Sequence, residues 1–169
     1  QMWRPNQRWL TNIEPVHKSD IIINLTERYH DWNNEKHNPS FHFDYTLLKD
    51  YDCGFIGWDN EYGLFCDRYG FKPKRILVND GLETAQYIAG SKLFVGAASS
   101  AKAIAEGLKH PMLMEISKDW PDDLPKGSHG HYHINRELIE YYLNNDTPVS
   151  KYPECEIKED KEGLEEFFS

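Results

Sequence analysis

Short apolar runs alternate with amphipathic stretches along most of this chain. The run Asp20–Asn24, with Ile21, Ile22 and Ile23 in succession, predicts a strand buried on both faces. Residues 25–40 are rich in Asn, His and charge and read as a long loop, and Phe43, Leu47 and Leu48 predict a short helix within Phe41–Tyr51. Cys53–Trp58 predicts a second strand, and Asn60–Tyr69 a helix with Tyr62, Phe65, Cys66 and Tyr69 on one face. Arg75–Val78 is the third strand. Asp80 and Gly81 signal the start of a helix over Leu82–Ala89 that turns Leu82, Ala85, Ile88 and Ala89 inward. Leu93–Val95 is the fourth strand, ending at Gly96. Ser99 or Ser100 caps a helix that runs to about Leu108 and packs through Ala103, Ile104 and Leu108. Pro111–Ile116 is the fifth strand, and Ile134–Asn144 a last helix with Leu138, Ile139, Tyr142 and Leu143.

Strands alternating with helices imply parallel β-α-β units with right-handed crossovers. The predicted fold is α/β: a Rossmann-like, doubly wound, mainly parallel five-stranded sheet in a single domain over residues 20–145. Residues 1–19 are polar and aromatic, lack a period and carry Pro5 and Pro15, so they read as an irregular arm laid on a neighbouring surface by Trp3 and Trp9. Residues 146–169 form an acidic tail: from Glu154 onward seven acids stand against two lysines. That accounts for more than half of the chain's formal charge of −9 and reads as a solvated segment.

Composition narrows the partners. An acidic chain has no global field for nucleic acid or anionic membrane, and no apolar run approaches the roughly 20 residues that span a bilayer. Trp32, Trp58 and Trp120 lack the basic neighbours of a single-strand binder. Three cysteines without a CxxC spacing, and a first segment with no apolar h-region, favour a reducing compartment. The expectation is a cytoplasmic protein, or a virion component if its role is structural. Gln1 preceding Met2 suggests processing, tag removal or an excerpt of a longer protein.

In doubly wound sheets ligands bind beyond the carboxyl ends of the strands, where the strand order reverses. An order 3-2-1-4-5 would put that crevice between the first and fourth strands. The loop carrying Asn24, Thr26, Arg28 and His30 then faces the loop carrying Gly96, Ala97, Ala98, Ser99 and Ser100. Small residues admit a ligand close to the backbone, and the following helix start offers N–H groups to an anion. Thr26 is placed to donate a hydrogen bond and Arg28 to neutralise a phosphate. On the plainer reading, one serine is an N-cap and the small residues serve packing.

Read together, Ile21–Asn24 with Thr26 and Arg28, Ile88–Gly96, and Ser99–Leu108 with Pro111 resemble the C-terminal half of GT-B glycosyltransferases, particularly the heptosyltransferase branch and its bacterial and phage relatives. The resemblance spans about Asp20 to Ile116. It implies a nucleotide-diphosphate sugar as ligand, held by Asn24, Thr26, Arg28, Ala97, Ser99, Ser100 and Lys102, with the base near Asn79–Leu82 and no cofactor. It further implies inverting, metal-independent transfer, conditional on a second Rossmann domain or partner chain. The chain departs from the family at Ala101, often His there, and at Lys102, a ribose-binding Glu in other branches. The departures, with the absent acceptor half, leave a non-catalytic structural or interaction module as the alternative.

His129, His131 and His133 alternate along a glycine-rich segment and are a lesser candidate for a metal, without a standard zinc spacing. Asp119, Asp122 and Asp123 read as turn caps, with a metal or catalytic role as the lesser alternative.

Overall fold

The computed structural model describes residues 7–26, 43–115, 130–131 and 134–144. All five expected strands are present and parallel: β1 (Ile21–Asn24), β2 (Cys53–Phe55), β3 (Lys74–Arg75), β4 (Leu93–Gly96) and β5 (Met112–Met114). A sixth strand, β6 (Gly130–His131), lies in the segment read as glycine- and histidine-rich and pairs in parallel with β5. Two residues are too few to show a strand period, so β6 left no signal in the sequence. The sheet order is β3-β2-β1-β4-β5-β6, which reverses direction between β1 and β4.

Helices cover both faces. A 3-10 turn (Tyr45–Leu48) replaces the short helix expected over Phe41–Tyr51. It shares one face with α1 (Asp59–Tyr69) and α4 (Arg136–Asn144). The opposite face carries α2 (Gly81–Ala89) and α3 (Ser100–Leu108). The first face is built on rings: Phe43, Tyr45, Phe55 and Phe65 are buried and Tyr69 packs against them. The second is mainly aliphatic, with Ile22, Ile56, Ile76, Ile88, Ala101, Ala105, Met112 and Met114 around a single buried ring, Phe94.

Three helix stripes differ from expectation. In α1 the buried residues are Phe65 and Glu61, whose carboxylate accepts the Trp58 N–H and so spends its charge on the helix start. In α2, Thr84, Ala85 and Ile88 are buried, whereas Leu82 is exposed. In α3 the stripe is Ala101, Ala105 and Leu108, and Ala103 is exposed. The Ser99 cap sets that phase, since i, i+4 and i+7 share a face. The third strand is also displaced, ending at Arg75 and leaving Leu77 exposed.

The described part of the arm, residues 7–19, has no helix or strand and lies on the aliphatic side, where Leu10 and Ile13 pack against the core. The Gly107 carbonyl accepts from the Trp9 and Leu10 N–H groups, and the Gln86 carbonyl from Val16 N–H. The arm needs glycine beneath it: a Cβ on Gly90 would lie 2.4 Å from the Val16 carbonyl carbon. Trp9 anchors less than expected, remaining more than half exposed. No helix among the described residues is long and apolar enough to cross a membrane.

Candidate functional site

Asn24 ends β1 and pairs with Gly96 at the end of β4. From there the chain continues to the ring-bearing face after β1 and to the aliphatic face after β4. The strand order reverses here, the place where doubly wound sheets take their ligands. The strands approach closely at this point, because a Cβ on Gly96 would sit 2.2 Å from the Asn24 carbonyl oxygen.

The β4–α3 turn resolves the choice between the two serines. Ser99 is the N-cap, extended in backbone, and its Oγ accepts from Lys102 N–H at 3.0 Å. Accepting that bond leaves the hydroxyl proton to donate. Ser100 is the first helical residue and is exposed. Its N–H and that of Ala101 belong to the first turn, which has no intrahelical acceptor. Lys102 is half-buried in the same turn. Ala97 and Ala98 are buried, so the loop is small because it is packed.

The loops are stitched together across the crevice. Ala97 N–H donates to the Asn24 carbonyl at 3.2 Å, and Thr26 Oγ1 donates to the Ala98 carbonyl at 3.2 Å. The Thr26 proton is therefore spent on loop bridging, where the sequence suggested a phosphate contact. Arg28 and His30 lie outside the described residues, as do Asp119, Asp122, Asp123, His129, His133 and the side chain of His131.

Among the described residues two buried side-chain atoms lack a hydrogen-bond partner, Arg75 Nε and the amide oxygen of Asn24, and the second lies at the strand-order reversal. Asn24 Nδ2 donates to the Ile56 carbonyl at 2.6 Å, which fixes the orientation of the amide. Its Oδ1 is buried and has no hydrogen-bond partner, and the residue is only 5% exposed. An orphaned buried acceptor costs about 1–3 kcal/mol. A ligand N–H or O–H would repay that penalty.

Arg75, a strand residue by its sequence pattern, also ties the loops after β2 and β3 together. Its guanidinium donates to the carbonyls of Phe55 at 3.3 Å, Ile76 at 3.2 Å and Gly57, and pairs with Asp59 Oδ1 at 3.1 Å. Its charge is committed to the protein. The polar groups of Asn79 and Asp80, near which a base was expected, are likewise spent on capping α2 through Glu83. Nearby, at the carboxyl pole, Trp58, Leu77 and Leu82 are large, apolar and exposed.

A buried polar pair closes the ring-bearing side. Tyr45 Oη donates to Glu115 Oε2 at 2.9 Å just beyond β5. Burial and then the Glu115 charge hold the Tyr45 phenol well above its ordinary range. Neither residue carried a sequence signal, because the partners are far apart in the chain.

Comparison with protein families, with curated proteins and with solved structures finds no match to this chain.

Proposed function

We propose that this domain binds a nucleotide-diphosphate sugar in the crevice between β1 and β4, in the manner of the donor half of a GT-B glycosyltransferase. The observation that carries the reading is the orphaned Asn24 Oδ1 at the strand-order reversal, beside the open start of α3. A nucleotide sugar supplies both complements: hydroxyl donors for the amide oxygen and phosphate oxygens for the Ser100 and Ala101 N–H groups and the Ser99 hydroxyl. Fixed N–H dipoles would stabilise a departing diphosphate without a metal. Transfer to an acceptor, with inversion, would need groups from a second domain or partner to deprotonate the acceptor hydroxyl.

The test is calorimetry with UDP-, GDP-, ADP- and CMP-sugars. One member of the panel is expected to bind, and Ser100→Asp to abolish the binding. That substitution favours the helix dipole and keeps the fold while repelling phosphate. Arg28→Ala is expected to weaken binding by about 1.5–3 kcal/mol, the scale of a charge-assisted hydrogen bond. Silence across the panel defeats the reading.

A non-catalytic interaction module is the second reading. The exposure of Trp58 (76%), Leu77 (73%) and Leu82 (56%) favours it, since apolar side chains gathered at one pole suit a protein contact.

A further inference from the structure

The opposite, amino pole of the sheet holds a separate constellation. His17 ends the arm's path across α2, Asp20 immediately precedes β1, and Asp52 immediately precedes β2. One ligand atom from each, a ring nitrogen and two carboxylate oxygens, lie within 4.8 Å of one another. Register explains the two acids: β1 and β2 are parallel with Ile21 opposite Cys53, so the residues before them are lateral neighbours. Asp20 N–H donates to Asp52 Oδ2 at 3.1 Å and orients that carboxylate.

The imidazole is oriented from outside the cluster. His17 Nδ1 lies 3.0 Å from the Gly90 carbonyl oxygen. A carbonyl only accepts, so Nδ1 carries a proton, and in the neutral ring the lone pair is on Nε2. Metal-bound histidines use the same support: a backbone carbonyl on one nitrogen fixes the tautomer and leaves the other to the ion. The Val16 N–H bond to Gln86 and the close approach of Val16 to Gly90 hold this stretch of the arm in place. The neighbouring Cys53 is no ligand, because its thiol donates to the Leu48 carbonyl and burial, then Asp52 and Asp20, push its pKa up to about 12.

We propose that His17, Asp20 and Asp52 form a zinc-class divalent-metal site that fastens the N-terminal arm to the amino edge of the sheet. One imidazole with two carboxylates suits Zn²⁺ over Ca²⁺ or Mg²⁺, which take oxygen ligands alone. Ligand bonds of about 2.0–2.2 Å require the donors to draw together, which rotation of half- and fully exposed side chains permits. Water completes the coordination at this exposed edge. Lys92 Nζ, 3.6 Å from Asp20 Oδ1, competes with the ion for that carboxylate. The site stands independently of the crevice and of any ligand there.

The full chain titrated with ZnCl₂ by calorimetry in chelator-treated buffer, followed by thermal melts with and without the ion, tests the proposal. One tight equivalent and a rise of several degrees in Tm are expected. His17→Ala and Asp52→Asn should each weaken that equivalent at least tenfold and remove the Tm shift, while Lys92→Gln strengthens it several-fold. Asp52→Asn keeps an acceptor for the Asp20 N–H, so its fold is preserved, as circular dichroism will verify. Replacing His129, His131 and His133 together by Gln should leave the equivalent intact. Binding that survives both His17→Ala and Asp52→Asn, binding lost in the triple variant, or no binding at all overturns the proposal.

Discussion

The two faces of the sheet solve the packing problem in opposite ways. On one, rings stack between the sheet and α1: Phe65 lies 5.3 Å from Phe55, 4.9 Å from Tyr69 and 5.7 Å from Tyr45, centroid to centroid. On the other, the small residues Ala101 and Ala105 of α3 are buried in the cluster that also holds Ile88 of α2, and the Gly107 backbone takes the arm. The ring face also holds the buried polar groups Tyr45, Glu115 and Cys53, so it depends on filled volume and on protonation. The aliphatic face depends on volume withheld. One therefore fails when atoms are removed and the other when atoms are added.

The largest effect expected from that contrast is Phe65→Ala, which removes a ring with four ring neighbours and should cost about 3–5 kcal/mol in denaturant unfolding. Ala105→Leu, on the opposite face, should cost about 1–3 kcal/mol by overpacking, although it adds apolar surface. If the enlargement stabilises the protein, the small-residue account of that face is wrong. Tyr45→Phe should cost about 1–3 kcal/mol by removing a hydroxyl from buried Glu115.

Alkaline pH separates the faces without mutation. Burial raises the pKa of Tyr45 and Tyr69, and brings that of Cys53 to about 12. The folded state keeps protons that the unfolded chain releases above its ordinary thiol and phenol values. Stability from these groups is thus complete below about pH 8.5 and is lost as pH rises toward 12. Denaturant midpoints measured from pH 8 to 12 should fall, and fall less steeply in Cys53→Ala than in the parent chain. The smallest effect is expected from Ser99→Ala, about 1 kcal/mol for a lost N-cap.

Much of this architecture was legible because its signals are local. Ile21–Ile23 and Leu93–Val95 are apolar on both sides, as a strand sandwiched by helices must be, and the Asp80 start marked α2. Local signals do not report where a side chain stands relative to the end of the sheet. Leu82 and Leu77 are apolar, which favours an inward position or a strand, yet both are exposed. At the strand-order reversal, the sequence alone leaves Ser99 and Ser100 open between cap and ligand donor. The cap bond to Lys102 settles Ser99 as a cap with a proton to spare, and Thr26 turned out to be bonded across to Ala98.

By itself the sequence determined the alternation of strands and helices, and through it a parallel sheet whose order must reverse. Periodicity and capping act within one turn or one strand, so a linear reading can see them. What only the tertiary structure decided is which polar atoms meet. The unfilled amide oxygen of Asn24, the carbonyls gathered by Arg75, and the approach of His17 to Asp20 and Asp52 all join residues from separate strands and loops. Such meetings follow from strand register and helix phase, where a shift of one residue turns a side chain to the other face.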